Sequence, residues 1–489
     1  MSLKKATAIV SLSNLLNTLS NLILSVGLAY ILVEKEKFGK IQQILMIASF
    51  CYSIVSGFPM GLSYFFGRYK SNTSRINLLK KVFLSLLLVC FGISLTVYLF
   101  KDSLSFSFKN TAINTNILLF ISLLFFKSLG SYFINFFVLI KKEQKLLFIN
   151  SLIFLLNISL IVFVFIFQEF STITSILLIL TVIEAIRLVY YLTFIRKYII
   201  LGNNVLINKQ ELIYIISVTG ITILNTFYVF IDKYMISFML TPEDYADYQV
   251  GAFVVPFIGI ITGSIMTTLI PVFSKLKYDN KLKEIAHKLK NATRYTSIIL
   301  LPIFTFCLVF GKELITAIYS DRYYFSGEIF QIYTLRYFTT VILFSLTMSA
   351  IGLQNWVLFT SLISLVVNVV LNYFLILKFG VIGAVYATVI TGYVGVILPL
   401  YLINKTLKCK FLDYFPLKEY VFILIISFLI ASPIYYFVFI KNDFPAVAVF
   451  PISFAFYITI LLLTNRVFKI FSYIEIKNKV QFFLDGRRK

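Results

Sequence analysis

About fourteen apolar windows of roughly 20 residues follow one another along this chain, and a window of that length is what a helix needs to cross a bilayer. They lie near 6–33, 41–66, 82–100, 117–140, 146–167, 173–195, 212–239, 249–274, 295–318, 330–353, 357–378, 382–404, 420–440 and 446–464. Hydrocarbon offers the backbone no hydrogen-bond partner, so each window must bond to itself as a helix. With 60% hydrophobic and 13% charged residues and a mean hydropathy of +0.92, a soluble domain is excluded. The expected fold class is an all-α polytopic membrane protein.

The net charge of +23 points to membrane topology and away from nucleic acid, because of where the charges lie. Most of the 44 basic residues fall in every second connection: Arg68–Lys81, Lys141–Lys145, Arg196–Lys209, Lys275–Arg294, Lys405–Lys418 and a tail from Arg466. That is the positive-inside pattern, and it places both termini in the cytoplasm with an even helix count. The acidic group Glu243, Asp244 and Asp247 then falls outside. The first apolar run, after Lys4 and Lys5, is too long and too rich in asparagine for a signal peptide and is retained as the first span. Cys51, Cys90, Cys307 and Cys409 have no paired spacing, so they read as apolar fillers and not as a disulfide or metal set.

The chain repeats itself. Leu147-Phe148 with Asn157 recurs as Leu358-Phe359 with Asn368, and Asn17 is answered by Asn225, an offset of about 210 residues or six spans. Parallel repeats of this kind predict two six-helix bundles, residues 1–200 and 210–405, with two further helices and a basic tail in 406–489. Substrate sites form between such bundles.

Polar stripes mark faces of several spans. Asn14, Asn17, Asn21 and Ser25 step by three and four along the first; Lys127, Ser131 and Asn135 along the fourth. Tyr333, Arg336, Thr340 and Thr347 do so on the tenth, and Ser361, Ser364, Asn368 and Asn372 on the eleventh. Such faces either glue helices together or line a hydrated cleft. Charges in hydrocarbon cost several kcal/mol and face a protein interior or water, which singles out Lys127, Glu184, Arg187 and Arg336. Glu184 and Arg187, three residues apart, can pair. Lys127, Glu184 and Arg187 form either a neutralised structural network or an anion-attracting lumen in which Glu184 orders the cations or titrates. Asp232, beside Lys233 near the outer end of span seven, is a second candidate for ion coupling. The expected substrate-binding set is thus Asn14, Asn17, Asn21, Lys127, Arg187, Arg336, Asn368 and Asn372. A lone histidine, His287, and the lack of a P-loop or glycine-rich nucleotide motif leave no metal, cofactor or ATP site to expect. The basic stretch 275–294 suits an amphipathic helix at an anionic lipid surface.

Three stretches resemble the polysaccharide transporter family of the multidrug/oligosaccharidyl-lipid/polysaccharide flippase superfamily. They are Leu28-Ala29-Tyr30-Ile31-Leu32 with Phe38-Gly39, Gly57, Gly61 and Arg68; Ile231-Asp232-Lys233-Tyr234-Met235 with Tyr248, Ala252 and Pro271; and Gly352-Leu353-Gln354, Asn368, Asn372 and Phe379–Thr388. The resemblance implies a non-enzymatic flippase. It would move an undecaprenyl-diphosphate-linked oligosaccharide across a bacterial inner membrane by alternating access, for O-antigen or capsule synthesis. A polysaccharide polymerase and a chain-length regulator are the implied protein partners. A multidrug exporter of the MATE type would rely on buried acids, and Glu184 alone fits that poorly. A lipid II flippase would carry luminal arginines in its first two helices, which are absent here; short outer loops disfavour a membrane polymerase.

Overall fold

The computed structural model describes residues 3–201, 206–440 and 446–468. The basic tail beyond residue 468, Lys441, and the side chains of Lys4, Lys5 and Arg466 lie outside the described residues. The described residues form helices with no strand among them, and the chain divides into two compact units, residues 1–246 and 247–489.

The first unit contains α1 (Leu3–Ile31), α2 (Lys35–Val55), α3 (Gly57–Arg68), α4 (Asn72–Leu99), α5 (Lys101–Ser107), α6 (Thr111–Thr115), α7 (Ile117–Leu139), α8 (Glu143–Ile166), α9 (Ile173–Leu201) and α10 (Lys209–Met239). The boundary falls within α11 (Pro242–Gly251). The second unit holds α12 (Pro256–Tyr278), α13 (Leu282–Val309), α14 (Gly311–Tyr319), α15 (Tyr324–Thr334), a 3-10 turn over Leu335–Ile342, α16 (Phe344–Ala350), α17 (Gln354–Val394), α18 (Ile397–Leu407), α19 (Phe411–Tyr414), α20 (Leu417–Tyr435) and α21 (Ala446–Phe468).

Among the described residues eleven helices are long and apolar enough to cross a membrane. One of them, Gln354–Leu407, contains two of the expected spans, because the chain reverses at Gly380. Gly380 sits at φ +59°, which a side chain would resist. A Cβ on Gly383 would fall 2.0 Å from the Leu375 carbonyl oxygen, so the two arms meet backbone to backbone. With Pro256–Tyr278 and Ala446–Phe468 the layout approximates the expected fourteen.

Three expected spans differ in detail. The second is broken after Val55: Ser53 and Ser56 hydroxyls donate back to Phe50 and Ser53 carbonyls (2.6 and 2.7 Å), and Pro59 lacks an N–H. Just beyond the break, the Pro59 carbonyl accepts from Asn135 Nδ2 of α7 at 2.7 Å. The tenth is not one helix either. It passes through the 3-10 turn and then Leu343 at φ 54°, so Thr347 lies beyond a break and does not continue the Tyr333–Arg336–Thr340 face. The ninth starts early, at Leu282, so the basic stretch is mostly the first turns of α13, seated by Ile285, Ala286 and Leu289 on an apolar cluster with Tyr414 and Phe415.

In the first unit α1 packs along α8, and α7, α9 and α4 share an aromatic core. Tyr191 stacks on Phe133 at 4.5 Å, and the Tyr132 hydroxyl donates to the Leu79 carbonyl at 2.9 Å. α10 rests on α2 and α3 at its two ends. Between Ile215 and Asp232 none of its described residues is buried.

Candidate functional site

Within the first unit the structure gathers three of the expected residues. Lys127 on α7 lies within Coulombic reach of Glu184 and Arg187 on α9. Arg187 Nη1 stands 3.1 Å from Glu184 Oε2, with only 16% and 14% of the two side chains exposed. Tyr52 of α2 and Tyr191 of α9 both feel the Arg187 charge. Their helices make this possible: α2, α7 and α9 pack on one another, and the Tyr191–Phe133 stack fixes α9 against α7 close to Lys127. Two basic side chains and one carboxylate thus stand together inside membrane-crossing helices. The Arg187 Nε is buried and makes no hydrogen bond among the described residues, which leaves a donor for an incoming acceptor.

The other expected residues stand apart from this cluster or in the second unit. Asn14 and Asn21 are exposed on α1 and Asn17 half-buried. The α8 seam is instead made by Ser13 and Ser20, whose hydroxyls accept from Asn150 and Asn157 Nδ2, each at 2.8 Å. Asp232 is buried toward the end of α10, and Lys233 beside it covers the Phe230 ring at 5.3 Å. In the second unit Arg336 Nη1 donates to the Tyr333 hydroxyl at 2.8 Å, and its stem passes Gly392 of α17. Asn368 and Asn372 are buried and bonded to each other, Asn372 Nδ2 reaching both the Asn368 carbonyl and Oδ1 at 3.0 Å.

Sequence reasoning passed over a second charged group. Lys81 and Glu211 form an ion pair at 2.7 Å with side chains 8% and 0% exposed. Glu211 also accepts from the Tyr69 hydroxyl at 2.6 Å and from the Asn208 backbone N–H at 3.0 Å, while Asn208 Oδ1 caps the Glu211 N–H at 2.9 Å. The signal was present: Asn208-x-x-Glu211 is a capping box, but a span begun at 212 leaves Glu211 in a loop.

The family model described as "polysaccharide biosynthesis protein" matches residues 11–326. A protein of Haloferax volcanii described as a probable low-salt glycan biosynthesis flippase is 22% identical over 187 residues, 38% of this chain and 40% of that one. The chain thus matches well under half the length of that relative. Among solved structures, a lipid II flippase in an inward closed conformation superposes with a TM-score of 0.70 at 19% identity, covering 94% of this chain and 98% of that one. An inward-facing MATE family multidrug transporter does so with a TM-score of 0.61 at 15% identity, covering 82% and 99%. At these identities the likeness is one of fold: a multi-pass transporter architecture.

Proposed function

We propose that this chain, which belongs to the polysaccharide biosynthesis protein family, is a flippase that carries an undecaprenyl-diphosphate-linked oligosaccharide across the bacterial inner membrane. The single observation that carries this reading is the grouping of Lys127 and Arg187 around one carboxylate, Glu184, within membrane-crossing helices. A diphosphate brings negative charge and several acceptors into a region of low dielectric, where an unpaired anion is costly. Arg187 offers a planar fork suited to two phosphate oxygens, and Lys127 a mobile point charge. Glu184 holds the guanidinium in place while the site is empty, and its own charge keeps the empty cluster from carrying two uncompensated cations. Each charge-assisted contact to the diphosphate is worth about 1.5–3 kcal/mol.

In this reading two bundles, residues 1–200 and 210–405, alternate access around the substrate while residues 406–489 stand outside them. Arg336, Asn14, Asn17, Asn21, Asn368 and Asn372 contact glycan or phosphate, and Asp232 or Glu184 couples an ion. Both termini face the cytoplasm, and a polymerase and a chain-length regulator take the product. No step makes or breaks a covalent bond.

The test is export of surface glycan and accumulation of its lipid-linked precursor in cells whose own copy is replaced by variants. Lys127→Ala, Arg187→Ala and Arg336→Ala should each abolish export with membrane protein levels near wild type. Unchanged export in Lys127→Ala and Arg187→Ala, or loss of both proteins from the membrane, defeats the cationic-site reading. Glu184→Gln is milder if it only orders Arg187 and equally severe if it couples an ion.

A further inference from the structure

One rim of the first unit, where α3 ends and α4 and α10 begin, carries a group that the Lys127 cluster does not use. No acidic residue occurs between Glu36 and Asp102, a stretch holding Arg68, Lys70, Arg75, Lys80 and Lys81. Glu211 reaches into it from α10 and is engaged by Lys81. Among the described residues no carboxylate pairs with Arg68, which is exposed. Its guanidinium is nonetheless held: Nη1 donates to the Tyr64 hydroxyl at 3.1 Å, and its carbon lies 5.4 Å from the Tyr64 ring centroid. Tyr64 stacks on Tyr214 of α10 at 4.3 Å, nearly parallel at 10°. Seven residues on, at the start of α4, Arg75 Nε donates to the Tyr69 carbonyl at 2.8 Å and its head lies 5.1 Å from the Phe66 ring, so a second guanidinium flanks the α3–α4 connection.

The Lys81–Glu211–Tyr69 network explains why the ring pair is in register. It pins the first turn of α10 to α4 and to the residue after α3, with Ile215 filling the space beside Gly61 one turn later. Tyr214 is therefore set against Tyr64 by buried, charge-assisted bonds. A planar donor fork held against the Tyr64 ring has already lost much of its rotamer freedom, and it suits a phosphate with two oxygens to share. The same ring pair suits the apolar C–H face of a sugar. Phosphate next to sugar is the chemistry at the head of a lipid-linked glycan, and a bulk anionic phospholipid lacks the second half.

We propose that Arg68, on the Tyr64–Tyr214 pair, is a peripheral capture site for the sugar-diphosphate head of a polyprenyl lipid, occupied before the Lys127 cluster. The site rests on the flippase reading above and adds a first station to it. Capture at the rim selects the substrate where it still sits in the leaflet, with its tail in hydrocarbon.

The experiment uses the full-length protein in phosphatidylcholine nanodiscs. Binding of undecaprenyl diphosphate carrying one hexose is measured, with phosphatidylglycerol and inorganic pyrophosphate as competitors. Arg68→Gln should weaken binding about tenfold, the loss of roughly one charge-assisted contact. Arg68→Lys, which keeps the charge without the fork, should fall between. Tyr214→Leu should weaken the hexose-bearing lipid more than undecaprenyl diphosphate alone, and a tenfold excess of phosphatidylglycerol should not displace either. If Arg68→Gln does not fold, Arg68→Lys and Tyr214→Leu carry the same comparison. Wild-type binding by Arg68→Gln, with binding lost in Arg187→Ala, overturns the capture site and leaves the flippase reading standing. Equal displacement by phosphatidylglycerol makes the rim a general anionic-lipid contact and also overturns it. Failure of every form, wild type included, to bind the lipid defeats both.

Discussion

Removing one partner of the Lys81–Glu211 pair should be the most damaging single change at the edge of the first unit. Glu211 is fully buried and Lys81 nearly so, 2.7 Å apart. Glu211→Gln keeps the shape and most hydrogen bonds yet leaves the Lys81 ammonium buried without its counter-charge. Breaking a buried pair in this way costs about 3–5 kcal/mol. Lys81→Met leaves the carboxylate to the Tyr69 hydroxyl and Asn208 N–H alone, so its cost should be somewhat smaller, about 3 kcal/mol. The double variant removes both charges and should cost only about 1–2 kcal/mol, giving a coupling of at least about 4 kcal/mol. Trp356 lies in the second unit, so the readout must be placed in the first. Cys51 on α2 is buried there, and its rate of thiol labelling, with Cys90, Cys307 and Cys409 replaced, reports opening of that unit. Single-variant costs that simply add, within about 0.5 kcal/mol, would refute the claim that the two charges answer each other.

Further outcomes follow from backbone contacts and burial. Gly57→Ala should loosen α10, because a Cβ there would stand 2.4 Å from the Ile215 carbonyl oxygen; a loss of about 1–3 kcal/mol by the same thiol assay is expected. Gly383→Ala should disrupt the Gly380 reversal more severely, its Cβ meeting backbone at 2.0 Å, and limited proteolysis near residue 380 should reveal it. Burial pushes the Glu313 carboxyl above its ordinary range, against the Tyr435 hydroxyl bond at 2.9 Å and the Lys312 charge. The folded form then holds that proton more tightly than the unfolded chain, so this part of the stability is full at low pH and is lost as pH rises through the carboxylate range. Glu313→Gln should flatten that slope in thermal unfolding from pH 4 to 7, and an unchanged slope would assign it elsewhere.

Hydropathy made the span count legible, and charge spacing made the Lys127–Glu184–Arg187 group legible. Both rest on costs that a bilayer imposes on any sequence. Polar stripes were less legible because residues on one helical face bond to different neighbours. Asn135 bonds the Pro59 carbonyl, Asn368 and Asn372 bond each other, and the serines beside the Asn14–Asn17–Asn21 face make the seam to α8. The breaks at Ser56 and Leu343 come from local back-bonding and a left-handed residue, which an apolar window averages away. Glu211 was lost to a span drawn one residue short.

The α1–α8 seam sets a schedule for the ribosome. Ser13 and Ser20 each wait for an asparagine 137 residues further along, and only 17% of the α1 membrane window is buried even in the finished protein. At the usual 5–20 residues per second, about 7 to 27 seconds separate synthesis of the two partners. During that interval Ser13 and Ser20 have no α8 to answer them. A holding partner, whether translocase, insertase or water at the interface, has to solvate that polar edge until α8 arrives. Because both bonds recur at the same seven-residue step on each helix, a pairing shifted by one turn would satisfy neither, so the seam also checks alignment when it closes.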